Sequence, residues 1–175
     1  RALMASVIAE YGVEKAEEWA TGLVSNLARR PQGNDRAQVK GIYEGLCDIA
    51  IINNYYFGKL KYSEDPVQRE WAKSMRLTFP NQGEGDRGAH INISGGGVAK
   101  YSKNKQFAVR LLEFLSSSES QKMYSEINFE YPVNIKVEPS EELVSWGNFR
   151  EDKISIEKIA QLSIDAQKII DRVGW

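Results

Sequence analysis

Short apolar runs, each too brief for a helix, alternate along this chain with longer stretches of helical periodicity. That alternation most restricts the folds open to it. Asp48–Asn53, Arg76–Phe79 and His90–Ser94 have strand length and composition, and the segments around them repeat apolar residues every three or four positions. Helices alternating with single strands form the pattern of an α/β layered fold. Two features strain it. The chain opens on a helix, and it shows few strands for its helix content. The expectation is therefore a part of a larger protein, or one whose leading portion is missing.

Local signals place the helices. Leu3–Tyr11 ends at Gly12, a residue suited to a left-handed cap. Val13–Ala28 carries Ala16, Trp19, Ala20, Leu23, Val24 and Leu27 as one stripe. Asn34 is the expected N-cap of Asp35–Glu44, and Asp65 that of a helix whose first residue is Pro66 and which continues over Val67–Ser74. Lys105–Leu115 is strongly amphipathic, with Phe107, Ala108, Leu111, Leu112 and Leu115 on one face. Ser118–Glu126 continues as a further helix, residues 137–148 read as irregular, and Ile154–Val173 reads as one long helix or two short ones.

Composition removes several classes of function. With 23 basic and 24 acidic residues the net charge is −1, which speaks against a nucleic-acid or membrane-surface binder. No segment approaches the roughly 20 apolar residues that span a bilayer. The single cysteine, Cys47, cannot form an internal disulfide and is expected to be a buried, inert thiol. The chain begins at Arg1 with neither initiator Met nor secretion signal, as a mature or truncated product would. The only histidine, His90, has no nucleophile or elbow motif around it, so a satisfied structural role is expected. Gly95-Gly96-Gly97 lacks dinucleotide-fingerprint spacing, and no phosphate loop exists. Nothing here predicts an enzyme.

What remains is a set of oxygen and amide donors at loop-to-helix junctions: Asn34, Asp35, Asn53, Asn54, Tyr55 and Tyr56. The adjacent phenols follow the Asp48–Ile52 run, where a strand should pass into a helix, and such turns collect ligand groups in α/β proteins. Phenolate oxygen is a hard anionic donor and suits a hard, highly charged cation. Neighbouring residues of a regular helix diverge, so the pair converges on one ion only if at least one lies in the turn. The alternative is plain packing, one tyrosine buried and the other covering it, which is commonplace for tyrosine.

Taken together, the motifs resemble the periplasmic ferric-ion-binding proteins, the type II substrate-binding components of iron(III) ABC transporters. The pieces are Asn53-Asn54-Tyr55-Tyr56-Phe57-Gly58, Arg30-Pro31-Gln32-Gly33-Asn34-Asp35, Glu44-Gly45-x-Cys47-Asp48-Ile49-Ala50, Phe79-Pro80-Asn81-Gln82, the Arg87–Gly95 stretch, Glu130-Tyr131-Pro132-Val133 and Val173-Gly174-Trp175. Their order and spacing are consistent from Arg1 to Trp175, and together they match only the carboxyl-terminal portion of that family.

The resemblance implies a two-lobed α/β fold closing on iron. Residues 1–85 would belong to the second lobe, 86–134 would cross into the first, and 135–175 would return. Tyr55 and Tyr56 would be direct Fe(III) ligands. Asn34 and Asn53 match positions that help hold a synergistic anion in some members. His90 does not match the family's ligand histidine, and the Arg87–His90 and Glu130–Val133 stretches look structural. The implied partners are an ABC permease and the missing amino-terminal portion, with a periplasmic or lipid-anchored extracytoplasmic location. The rivals are a type II binding protein for an organic or oxyanion solute, and an enzyme built on the same architecture.

Overall fold

The computed structural model describes residues 1–175. It contains ten α-helices and one π-helical turn. Contacts divide it into two units. The first comprises Arg1–Gln32, Phe79–Ile93 and Phe149–Trp175, and the second Gly33–Thr78 and Ser94–Asn148. These borders fall elsewhere than residues 85 and 134; lobe membership in a longer protein is a separate property from this contact pattern.

In the first unit, α1 (Ala2–Tyr11), α2 (Val13–Ser25), α9 (Ile156–Gln161) and α10 (Ser163–Val173) pack around Met4, Ala5, Val7, Ile8, Ala16, Ala20, Ile159, Ala166 and Ile169. Gly12 joins α1 to α2 at φ +83°, a conformation that glycine adopts freely. Helix α2 stops three residues before the expected Ala28, at Ser25.

The second unit holds α3 (Asp35–Tyr43), α4 (Asn54–Lys61), α5 (Pro66–Lys73), α6 (Lys105–Leu115), α7 (Ser118–Met123), the π-turn Tyr124–Asn128 and α8 (Glu141–Ser145). The caps are those the sequence predicts. The Asn34 side chain accepts from the Ala37 amide and that of Asp65 from the Val67 amide, with Pro66 in the first turn. A small core of Val39, Leu60 and Ala72 is flanked by Ile52, Phe57, Trp71 and Met75. Helix α8 falls inside the stretch read as irregular. Ser140 caps it by accepting from the Leu143 amide, with Glu141 and Glu142 in its first turn; that capping pattern was the available signal.

The α/β expectation is not met within this chain. No strand forms, and the sole ladder contact is an isolated parallel bridge between Ala89 and Glu151. Asp48–Asn53, expected as a buried strand, joins no ladder, with Ile49 83% exposed. Arg76–Phe79 and His90–Ser94 are likewise outside any sheet. A strand is defined by its ladder, and a lone extended run has no neighbour to satisfy its amides. Cys47, expected to be buried, is only half-buried.

Sequence inspection also missed the most buried ion pair. Arg87 donates to Asp152 at 2.9 Å, with side chains only 7% and 4% exposed. The same Arg87 nitrogen reaches the Ser6 carbonyl at 3.1 Å, and Asp152 accepts from the Ile154 amide at 3.0 Å. Removing one member strands the other charge, so Asp152→Ala should cost about 3–5 kcal/mol. Urea unfolding of Asp152→Ala against the unsubstituted protein measures it; a loss below about 1 kcal/mol would mean that the pair is solvated.

Candidate functional site

The site is built at the junction of α3 and α4. Asn53 occupies the N-cap position of α4 in an extended conformation, but its side chain does not cap. Its backbone amide donates to Asp35 Oδ1 at 2.7 Å, and its Nδ2 donates to the same oxygen at 3.1 Å. Asp35 is the first residue of α3. One carboxylate oxygen thus ties the start of α4 to the start of α3.

Tyr55 and Tyr56 both lie in the first turn of α4. The expectation that one of them must sit in non-helical backbone is therefore corrected. Their rings converge nonetheless, with centroids 4.4 Å apart and planes inclined by 33°. Side-chain rotation brings the rings together although the backbone directions diverge. Both side chains are half-buried. The Tyr55 phenol is pushed up to about 12, first by burial, then by its hydrogen bond to Tyr56 and by the charges of Tyr56, Asp35 and Glu130. Without a cation, this phenol keeps its proton.

Two cations flank the pair. The Arg36 guanidinium lies 5.9 Å from the Tyr56 ring centroid, and Lys59 Nζ lies 5.0 Å from that of Tyr55. Arg36 Nε is buried without a hydrogen-bond partner. Arg36, Lys59, Tyr62, Glu126, Phe129 and Glu142 are among the residues around an open groove of about 740 Å³, which the two phenols themselves do not line. Positive charge near a phenol favours its ionised form.

The back of α4 is fixed to residues far along the chain. Gly58 sits against Phe129 so closely that a Cβ there would come within 2.3 Å of the ring carbon Cγ. Phe129 has φ +59° after the π-turn and stacks on Tyr62, with centroids 5.4 Å apart. The edge of Phe57 meets Trp146 at 6.0 Å. Glu142 accepts from Lys61 at 2.7 Å, from Tyr62 at 2.8 Å and from Trp146 Nε1 at 2.9 Å. Burial raises the Glu142 pKa, but these bonds outweigh it and hold the carboxyl below its ordinary value. Its stabilising contribution is therefore present above the usual carboxylate range and fades as pH falls below it.

Of the residues singled out from sequence, Tyr55, Tyr56 and Asn53 come together on α4 and its cap. Asn34 stands next to Asp35, with its side-chain oxygen engaged by the Ala37 amide at 3.2 Å. His90 belongs to the other unit. Its pKa is lowered by burial and then by Arg87, and its buried Nδ1 has no partner, so the expected satisfied histidine is not what forms. No group of three His, Cys, Asp or Glu side chains is arranged to hold a metal ion. The hard donors gathered at this place are the two phenols, with Asp35 alongside. Arg36, Lys59, Phe129 and Glu142 were not found from sequence. Those on the far side of α4 stand about seventy to ninety positions away, with no local signal to link them.

No family model matches the chain. Over 175 residues it is 42% identical to iron uptake protein A1 of Synechocystis sp., covering all of this chain and 48% of that protein. It is 27% identical over 169 residues to the major ferric iron-binding protein of Neisseria meningitidis, covering 97% of this chain and 48% of the relative. Among solved structures, the ferric binding protein from Campylobacter jejuni superposes with a TM-score of 0.94 at 42% identity, over 99% of this chain and 54% of that one. A Trichodesmium protein (IdiA, FutA), solved in complex with iron and citrate ligands, superposes at 0.90 with 45% identity, over 99% and 54%. The chain spans about half the length of the relatives it matches.

Proposed function

We propose that this chain, homologous along its whole length to about half of the ferric-iron-binding and iron-uptake proteins, supplies one side of an iron(III) site in a periplasmic substrate-binding protein. Tyr55 and Tyr56 are the ligands it contributes. The observation that carries the reading is the pair of half-buried phenols, 4.4 Å apart on the first turn of one helix, in a chain with that homology. Bound iron drives the proton off a phenol that otherwise holds it firmly, and the ionised oxygen is a hard donor.

In the longer protein, residues 1–85 and 135–175 belong to the second lobe, and 86–134 cross into the first. The other lobe completes the iron coordination, closing about a hinge. Arg36 and Lys59 bring positive charge to the phenols. That charge suits an anion bound beside the metal, with Asn53 and Asn34 at the same junction. An ABC permease in the membrane receives the loaded protein, which is periplasmic or lipid-anchored outside the cytoplasm. No helix of this chain is long and apolar enough to cross a membrane. The role is carriage rather than catalysis.

The test is optical. Ferric salt added to the full-length polypeptide that carries this chain should produce a visible iron–phenolate band, and EDTA in excess should bleach it. A colourless protein that instead takes up an organic solute or an oxyanion would replace this reading with the other type II one.

A further inference from the structure

The carboxylate of Glu142 is engaged beyond what joining two short helices requires. It accepts from Lys61 on both oxygens, at 2.7 and 2.8 Å, from the Tyr62 hydroxyl at 2.8 Å and from the Trp146 indole at 2.9 Å. Lys61 is the last residue of α4 and Tyr62 its C-cap. The phenol pair stands on the first turn of the same eight-residue helix. Between the two ends, Gly58 is pressed on Phe129 and Phe57 meets Trp146. A helix this short is a single rigid piece, so a rotation at its last turn is a rotation of its first. At its C-terminal end Glu142 supplies charged, directional bonds to the side chains of α4 and its cap, while Phe129 and Trp146 add aromatic contacts.

Resting on the ferric reading above, we infer that Glu142 is a positioning residue for the iron site: through Lys61 and Tyr62 it sets the roll of α4 and so where the Tyr55 and Tyr56 oxygens point. A misplaced donor weakens a metal site even when the ligand itself is intact. Glu142 belongs to α8, and its carboxylate is engaged at the C-terminal end of α4, opposite the turn that carries the phenols, so its effect reaches iron through their geometry.

The experiment uses the full-length polypeptide with ferric salt as the probe, read by EDTA competition and by the visible band. Glu142→Gln keeps the size of the side chain but loses its charge. It should lower ferric affinity about tenfold, as the loss of charge-assisted bonds would, and shift or weaken the band while unfolding remains cooperative. Tyr62→Phe, which keeps the stack on Phe129, should move affinity and band in the same direction by a smaller amount. It also serves as the measurement if Glu142→Gln does not fold. Unchanged band and affinity in the folded variants, with Tyr55→Phe and Tyr56→Phe still losing iron, would overturn the positioning role and leave the ferric site standing. If the tyrosine variants also bind iron normally, the ferric reading and this inference fall together.

Discussion

Phenylalanine at Tyr55 or at Tyr56, in the full-length polypeptide, should each reduce ferric affinity by more than about a hundredfold. Outer-shell changes at metal sites cost about 10–100-fold, and a direct ligand should exceed them. Phenylalanine keeps the ring, so the 4.4 Å ring contact and the half-buried packing survive. The loss on the fold side is confined to the interaction of one hydroxyl with its neighbour, so it should be about 1 kcal/mol. Affinity and stability should therefore separate: a large loss of iron, a small change in melting. The proton provides a second signature. The Tyr55 phenol stands at about 12 in the metal-free protein, so its proton must leave as iron enters. Ferric affinity should rise with pH by up to about tenfold per unit for that proton, and Tyr55→Phe should remove this part of the slope. Full affinity in both variants would end the metal reading.

How much of this was legible from the residues depends on distance along the chain. Asn34 and Asp65 were readable because a cap is settled within three or four positions, and Gly12 as the stop of α1 although it does not take the left-handed helical conformation expected. Lys105–Leu115 was readable because an apolar stripe has a fixed period. The strands were not readable as an outcome. Asp48–Asn53 has a strand's composition, yet pairing is decided by a neighbour that these residues do not specify. The tyrosine pair could be named as a donor set, but its geometry depends on Asp35 holding Asn53 and on Phe129 and Glu142 holding the back of α4. Those partners are brought together by tertiary packing, and a hydrophobic pattern carries no trace of them.

The same boundary between local and distant information governs α6, and it gives the second large effect. The helix forms where its period says it should, yet none of its residues is buried: Phe107 is 66% exposed, Leu111 56% and Phe114 48%. Fully burying one such side chain is worth about 1.5–3 kcal/mol, and a whole domain is stable by only about 5–15 kcal/mol. Several uncovered side chains on one face therefore amount to a large part of a fold's stability, and a face of this kind seeks a cover. In a longer polypeptide the portion beyond these residues should provide that cover. In the 175-residue chain alone it should be a second copy, and light scattering on a sample of confirmed mass should show self-association. Leu111→Glu separates the two situations. It should return the isolated chain to a monomer and should be almost neutral to the stability of that monomer, in which the side chain is in water. In the full-length protein the same substitution should cost more than about 2 kcal/mol, since it places a charge in an apolar contact. A monomeric, unsubstituted 175-residue chain with strong amide-exchange protection across Lys105–Leu115 would show that α6 needs no cover.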